Sequence, residues 1–406
     1  MSEGGRVAPG GEGAQGARGR ALALVFTILL LDIIGMSLLY PVGAYIVRRY
    51  SDEALMVTLL TAVYAGAQFV AAPVLGKLGD RYGRRPVLLV SLGGSVVGHV
   101  LFGVGGALWV LFLARFIDGV TAGNQSTAAA YIADVSTPET RAKHFSLIGV
   151  AWGLGLILGP ALGATLGQLN LAAPALAAAA LSLVSVLVGL IVLPESLPRE
   201  RRETAPLRAT DLNPLGAIGA MARLPGLDRL LLAQCLFNLA FNGITSTETL
   251  FLIEKFALQP WQVGAMLVLG GATLVVVQRV VQPLARRLGE RRVAVLSLLA
   301  CALASLAMFW VPLVWPVYPL GVLRTAGSSF VFATLGVLMT GRVSPREQGV
   351  LMGVNTALGS VMGVLGPLWA GVAFDRLMPG APYWLGAVVF ALAALTLTRA
   401  HPGAVK

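Results

Sequence analysis

One carboxylate in this chain stands where a carboxylate is costly. Asp32 lies twelve residues after Arg20 and sixteen before Arg48, inside an otherwise apolar run. At about 1.5 Å per helical residue and with a hydrocarbon layer about 30 Å thick, it falls near the middle of a bilayer. A charge there costs roughly 2.5–3.5 kcal/mol on insertion scales, so Asp32 must face a cavity or carry a proton. A carboxyl able to do both can couple to protons or hold a cation; the alternative is a structural partner for a nearby polar group. A second constellation lies further on. Arg115 and Asp118 are one turn apart, and Ala122 and Gln125 continue their face at about 100° per residue. One polar stripe on an apolar helix reads as a cavity wall. Arg115 cannot lose its proton, so its role is electrostatic, unless the pair only locks packing. A third stripe, Asn238, Asn242, Thr245 and Thr249 with Glu248 on its flank, reads as the facing wall. Glu248 is also close enough to Lys255 to be a solvated mouth residue. Arg324 is expected to pair with Glu248 or to line the cavity. His99 reads as a packed core histidine, with a proton relay as the alternative. Tyr40, Tyr45, Tyr64, Trp152, Phe237 and Phe241 could offer aromatic surface to an apolar ligand, or simply pack.

The elements that carry these residues follow from composition. The 406 residues are 56% hydrophobic and 12% charged, against about 25% charged in a soluble domain, which excludes a water-soluble enzyme. Runs long enough to cross a bilayer number twelve: 21–47, 55–76, 86–106, 108–132, 145–168, 171–193, 227–253, 262–282, 293–312, 314–340, 347–373 and 381–399. The formal charge of +11 is spread in short basic groups between these runs, the membrane pattern and not that of a nucleic-acid binder. With the N-terminus placed in the cytoplasm, 23 of the 30 Lys and Arg fall on that side and four on the other. Arg115, Arg279 and Arg324 remain within spans. Both termini are therefore expected in the cytoplasm. The expected organisation is a disordered tail at 1–20, a six-helix bundle at 21–193, a linker at 194–226, a second bundle at 227–399 and a tail at 400–406. Cys235 and Cys301 form no framework and no metal pattern. With no His/Cys cluster, phosphate loop or nucleophile motif, neither a membrane enzyme nor a cofactor is expected.

The halves repeat each other. Gly159-Pro160 returns as Gly366-Pro367, Pro138 as Pro345, and Arg84-Arg85 as Arg291-Arg292, all at an offset of 207. Asp32 falls near Asn238 and Arg115 near Arg324. Two homologous halves of six spans are the sequence symptom of a transporter with its site between them.

The loop after the second span, Gly76-Lys77-Leu78-Gly79-Asp80-Arg81-Tyr82-Gly83-Arg84-Arg85, resembles the signature of the major facilitator superfamily at every defined position. Arg115-Phe116-Ile117-Asp118-Gly119 is similar to that superfamily's fourth-span motif. Gly149, Gly153, Gly155, Gly159-Pro160 and Gly163 are similar to the motif of its antiporters. Tyr131 through Arg141, and Leu31-Asp32-Ile33-Ile34-Gly35 with Pro41-Val42, look like the twelve-helix drug:proton antiporters, tetracycline exporters among them. The chain departs at Gly43-Ala44, at Gly163-Ala164, and in 283–292, where only the basic pair is kept; the first two bear on the substrate and leave the superfamily untouched. The resemblance implies an all-α membrane protein with two pseudo-symmetric six-helix bundles (the major facilitator fold) in a cell or inner membrane. It implies efflux of hydrophobic or cationic small molecules in exchange for protons, with Asp32, Arg115 and Asp118 in proton coupling. Gln125, Asn238, Asn242, Thr245, Glu248 and Arg324 would line the cavity. Import of a solute and lipid flipping on the same fold are the rival readings. Asp80 among the arginines is expected to dock as an anion on the start of the eleventh span, near Ser344–Gln348. The repeated glycines are expected to form a tight, water-excluding contact between the halves. A monomer in the lipid bilayer is expected, with a small-molecule substrate and protons as its partners.

Overall fold

The computed structural model describes residues 11–203, 215–224, 226–344 and 347–399. The first half comprises α1 (Gly11–Leu38), a short α2 (Gly43–Val47), α3 (Ala54–Tyr82), α4 (Arg84–Val104), α5 (Leu108–Val120), α6 (Asn124–Val135), α7 (Pro138–Leu169) and α8 (Ala173–Ile191). A short α9 (Leu215–Ala222) precedes the second half. That half holds α10 (Leu227–Phe256), α11 (Pro260–Leu288), α12 (Glu290–Trp310), α13 (Val317–Thr340), α14 (Gln348–Arg376) and α15 (Ala381–Arg399). Among the described residues, 11 helices are long and apolar enough to cross a membrane. Trp109, Trp261, Trp310 and Trp315 are exposed at helix ends on the side of α2, where interfacial aromatic residues belong.

Two expectations change at the level of single elements. The tail expected at 1–20 is helical from Gly11, because Ala14, Gln15, Ala17 and Arg18 are good helix formers that extend a helix already nucleated by α1. Residues 1–10 and 400–406 lie outside the described residues, as do 204–214 and Pro225 of the linker. The fourth span, expected as one helix over 108–132, is broken into α5 and α6. Thr121 Oγ1 donates to Ile117 O at 2.8 Å and to Asp118 O at 3.3 Å, competing with the helical ladder. Gly123 N–H then closes a tight turn on Thr121 O at 2.7 Å, where a Cβ would lie 3.0 Å from Leu75 Cβ. Only a residue without a side chain lets α3 approach the break so closely.

Each half is knit internally, α1 on α7 and α8, α4 on α5 and α8, α10 on α14 and α15, α12 on α13 and α15. Across the halves α7 faces α11 and α3 faces α14. The antiporter-motif glycines divide between these tasks, which corrects the expectation that they chiefly join the halves. Gly159 and Gly163 press on Ile34, Ser37 and Leu38 of α1, in their own half. The close approach to α11 is made by Gly264 and Gly271, where a Cβ would lie 3.1 Å from Pro160 O and 2.9 Å from Leu156 O. Gly371 serves the other seam, 3.0 Å from Leu55 Cα by the same measure, while Gly366 presses on α10.

The two halves splay. Along the α7–α11 seam the space at successive glycines opens from that tight fit to 3.5 Å between Gly153 and Val275, and Gly149 meets nothing within 4 Å. Gly349 and Gly353 at the same end of α14 are equally free. Polar contacts across the halves cluster at the opposite end, around α2. There Tyr45 donates to Leu258 O, Arg48 pairs with Glu254 at 2.5 Å, and Asp375 accepts from Ala54 N–H at 2.9 Å and Leu55 N–H at 2.8 Å. The molecule is closed at the α2 end and open at the end carrying the arginine-rich loops.

Candidate functional site

The break between α5 and α6 builds the site. Asn124, the first residue of α6, reaches back to α1 and donates its Nδ2 to Asp32 Oδ1 at 2.8 Å. Asp32, half-buried, thus lines a small pocket with Met36, Tyr64, Gln68, Ser95, His99, Asp118, Ala122 and Gln125. The stripe predicted on the fourth span, Asp118, Ala122 and Gln125, forms one side of it. Backbone at membrane depth that leaves the helical ladder is tolerated where it lines a cavity, and transporter sites are built at such interruptions.

Arg115 pairs with Asp118 at 3.2 Å, and its guanidinium lies 4.3 Å from the centre of the Phe102 ring. Asp118 is thereby compensated by a fixed cation. No cation among the described residues pairs with Asp32, whose hydrogen-bond partner is a neutral amide. The two carboxylates of one pocket therefore differ in kind. This polar interior also divides the apolar core of the first half into separate clusters, around Ile28 and Tyr131, around Leu60 and Leu111, and around Leu38 and Ala178. The second half has one continuous core, which reaches across the closed end to Ala44 and Ala54.

The candidates of the second half are placed elsewhere. Asn238 and Asn242 sit at the seam with α14, Asn242 Nδ2 donating to Asn238 O at 2.8 Å and its Cβ facing Gly366; Thr245 is exposed. Glu248 and Arg324, expected either to pair or to line the cavity wall, do the first and not the second: they form an ion pair inside the second bundle at 6% and 4% exposure. Arg324 O lies against Cys301, and Tyr383 is fully buried nearby in the same core. Two opposite charges on facing helices neutralise each other at lower cost than either facing apolar side chains alone, so the pair is drawn inward. Phe241 and Phe332 meet edge-to-face at 5.5 Å where α10 adjoins α13, with Phe332 exposed.

The loop from Gly76 to Arg85 is organised within its own half. Asp80 pairs with Arg84, whose Nε is 3.4 Å from Asp134 of α6. Gly83 takes φ +108°, which a side chain would strain, and Arg81 stacks near Tyr82. Among the described residues the expected docking of Asp80 on the start of α14 is not made: the halves are apart at this end, and Ser344 is bonded instead by Glu347. Residues 345–346 lie outside the described residues. Glu195, not singled out from the sequence, accepts from Arg84 N–H at 2.9 Å and Arg85 N–H at 3.3 Å, so it caps α4. A carboxylate directly after the sixth span and a prolyl residue was the available signal.

A twofold repeat of membrane helices, splayed at one end around a polar pocket behind a broken helix, defines a membrane transport protein. The chain belongs to the Major Facilitator Superfamily, whose sequence profile matches residues 25–367. The class C tetracycline resistance protein of Escherichia coli is 33% identical over 352 residues, 86% of this chain and 88% of that protein. The crystal structure of the human organic anion transporter MFSD10 (TETRAN) superposes with a TM-score of 0.70 at 27% identity, over 94% of this chain and 99% of that one. A bacterial homolog of the human lysosomal transporter Spinster, inward-facing and unoccupied, shares the fold with a TM-score of 0.73 at 17% identity, over 95% of each chain.

Proposed function

We propose that this protein exports hydrophobic, cationic small molecules in exchange for protons, with Asp32 as the group for which proton and substrate compete. One observation carries the reading: Asp32 faces the pocket with a neutral partner, while Asp118 beside it is already compensated by Arg115. An uncompensated carboxylate in a low-dielectric pocket is satisfied by a proton or by a cation from outside, one at a time. That exclusivity is the core of exchange, since each ligand favours the state in which the other has left. Tetracycline resistance in relatives of one-third identity supports export of a drug-like molecule. The acidic lining favours a cationic substrate over an anionic one.

The arginine-rich end is the cytoplasmic one by the bias of Lys and Arg, so the arrangement described is open to the cytoplasm. Asp80, held by Arg84 here, is the group that would meet the start of α14 when the halves close at that end. Phe241 and Phe332 would offer an aromatic wall to the substrate. The protein sits in the cell membrane with both termini in the cytoplasm. The test is efflux of ethidium and of tetracycline from proteoliposomes under an imposed pH gradient. The wild type should transport at least one of them against its gradient, and Asp32→Asn should reduce the process to gradient-independent leak. Asp32→Asn with full gradient-driven efflux removes Asp32 from the mechanism. Substrate accumulation in the same direction as the proton flow, under either gradient, would establish symport instead.

A further inference from the structure

We propose that the first half contains a buried proton-relay site headed by His99, which hands protons between a water-filled polar column along α4 and α6 and the pocket carboxylate Asp32. The inference rests on the proton-coupled reading above and adds a residue to it.

His99 is 3% exposed and lines the same pocket as Asp32 and Asp118. Its Nδ1 lies 3.3 Å from Ser182 Oγ on α8, a helix that contributes nothing to the pocket. The opposite ring nitrogen, Nε2, is buried without a protein partner. A histidine that merely filled the core would leave no such edge toward a pocket of carboxylates, since buried polar atoms are almost always bonded. The register of the helices is tight here: a Cβ on Gly98 would lie 3.0 Å from Asp118 Cβ, and Gly94 is pressed by Thr121. The imidazole is held beside Asp118 by backbone packing.

Below His99 the interior stays polar. Ser95 and Ser91 follow at steps of four residues, about 6 Å apiece along the helix, and both are buried. On α6, Asn124 and Thr127 descend on the facing side, also buried. Ser91 Oγ, Asn124 Oδ1 and Thr127 Oγ1 share with His99 Nε2 the lack of a protein partner. Polar atoms in that situation are satisfied by internal water, and a row of them supports a chain of water molecules. The row descends toward Arg84 and Asp134 at the arginine-rich end. The groups facing the imidazole are Asp32 from α1, Tyr64 and Gln68 from α3, Arg115 and Asp118 from α5, Asn124 from α6 and Ser182 from α8.

The step balances. With Nδ1–H donating to Ser182, Nε2 holds the free lone pair and takes, through pocket water, the proton that Asp32 gives up. The imidazolium is stabilised by the Asp118 carboxylate, then releases that proton to the column toward the arginine-rich end and returns to the neutral ring. One proton enters and one leaves.

The test uses the full chain in proteoliposomes with ethidium as probe, and His99→Gln, whose amide can still bond Ser182. His99→Gln is expected to slow gradient-driven efflux by about tenfold or more and to flatten its pH profile, with ethidium affinity and melting temperature retained. A His99→Gln protein with the wild-type rate and pH profile overturns the relay while leaving the Asp32 reading intact. Wild-type efflux that ignores the pH gradient instead overturns the underlying reading. A second measurement stands apart from transport. The sequence has 3 histidines, so His144→Gln with His401→Gln leaves His99 as the single imidazole for nitrogen-15 NMR. Its resonances are expected to titrate over the pH range in which efflux responds to pH, with a midpoint that moves on Asp32→Asn. An imidazole neutral throughout that range, or one indifferent to Asp32→Asn, overturns the proposal even if the His99→Gln protein fails to fold.

Discussion

Asp375 holds the closed end shut, and its removal should move the whole molecule. Its two oxygens accept from Ala54 and Leu55, the first residues of α3, at 2.9 and 2.8 Å, from the opposite half of the protein. The first N–H groups of a helix have no partner within it, and a negative charge there also complements the helix dipole. Capping of this kind is worth about 0.5–2 kcal/mol, and the exposure of Asp375 argues against anything larger. Asp375→Ala should therefore cost the closed end about 1–2 kcal/mol, and Asp375→Asn, which keeps one acceptor, less. At about 1.4 kcal/mol per factor of ten, the ratio of the two access states should shift about 5- to 30-fold in the alanine variant. Spin labels on Arg49 and Leu377, after replacement of Cys235 and Cys301, would report the populations by pulsed dipolar spectroscopy. A distance distribution unchanged by Asp375→Ala, with labels that do respond to Glu254→Ala or to substrate, would refute the assignment of Asp375 as a clasp between the halves.

Further outcomes follow from the same geometry. Gly271→Val would drive a side chain onto Leu156 O, 2.9 Å from the first added carbon, and should destabilise the α7–α11 seam by about 1–3 kcal/mol, read as a lower melting temperature in detergent. Glu248→Gln would leave Arg324 charged and buried and should cost about 3–5 kcal/mol. Replacing both by Leu should restore much of the loss, whereas a cavity role would leave stability unchanged and alter transport. Burial pushes the Tyr45 hydroxyl up to about 12 from its ordinary 10.0, against the opposing pull of Arg48. A raised value favours the neutral, donating phenol, so its bond to Leu258 should be fully present below pH 10.0 and lost as pH rises through about 12. Closure measured by the same labels should weaken over that interval, and Tyr45→Phe should abolish the alkaline dependence.

The sequence carried the scaffold and the sharpest residue of the site. Asp32 was legible because a carboxylate at membrane depth has few bland explanations, and the face of Asp118, Ala122 and Gln125 because helical periodicity fixes which residues share a side. The break after Val120 was not, since it depends on a threonine hydroxyl choosing its own helix and on Leu75 arriving from another. The pairing of Glu248 with Arg324 was one of two readings open to the sequence, while their expected place on the cavity wall failed for a related reason. Whether a lone charge faces water or a partner is decided by a residue 76 positions away, which no local pattern encodes. The glycine repeat was legible as close packing, yet its partner helix was not: Gly159 and Gly163 read like interface glycines and serve α1, while Gly264 and Gly271 do the joining.

The uneven division of the interior has a consequence for how such a molecule can be altered. One copy of the repeat keeps its carboxylates open to exchange and accepts a fragmented core in return; the other has sealed its charges into an unbroken one. If Asp32 and Asp118 carry the exchange as proposed, changes along α10 and α13 can reshape which molecules are admitted while the proton machinery continues to run, and the same freedom is denied to α1 and α5. Selection for new cargo should leave its marks in the quieter copy.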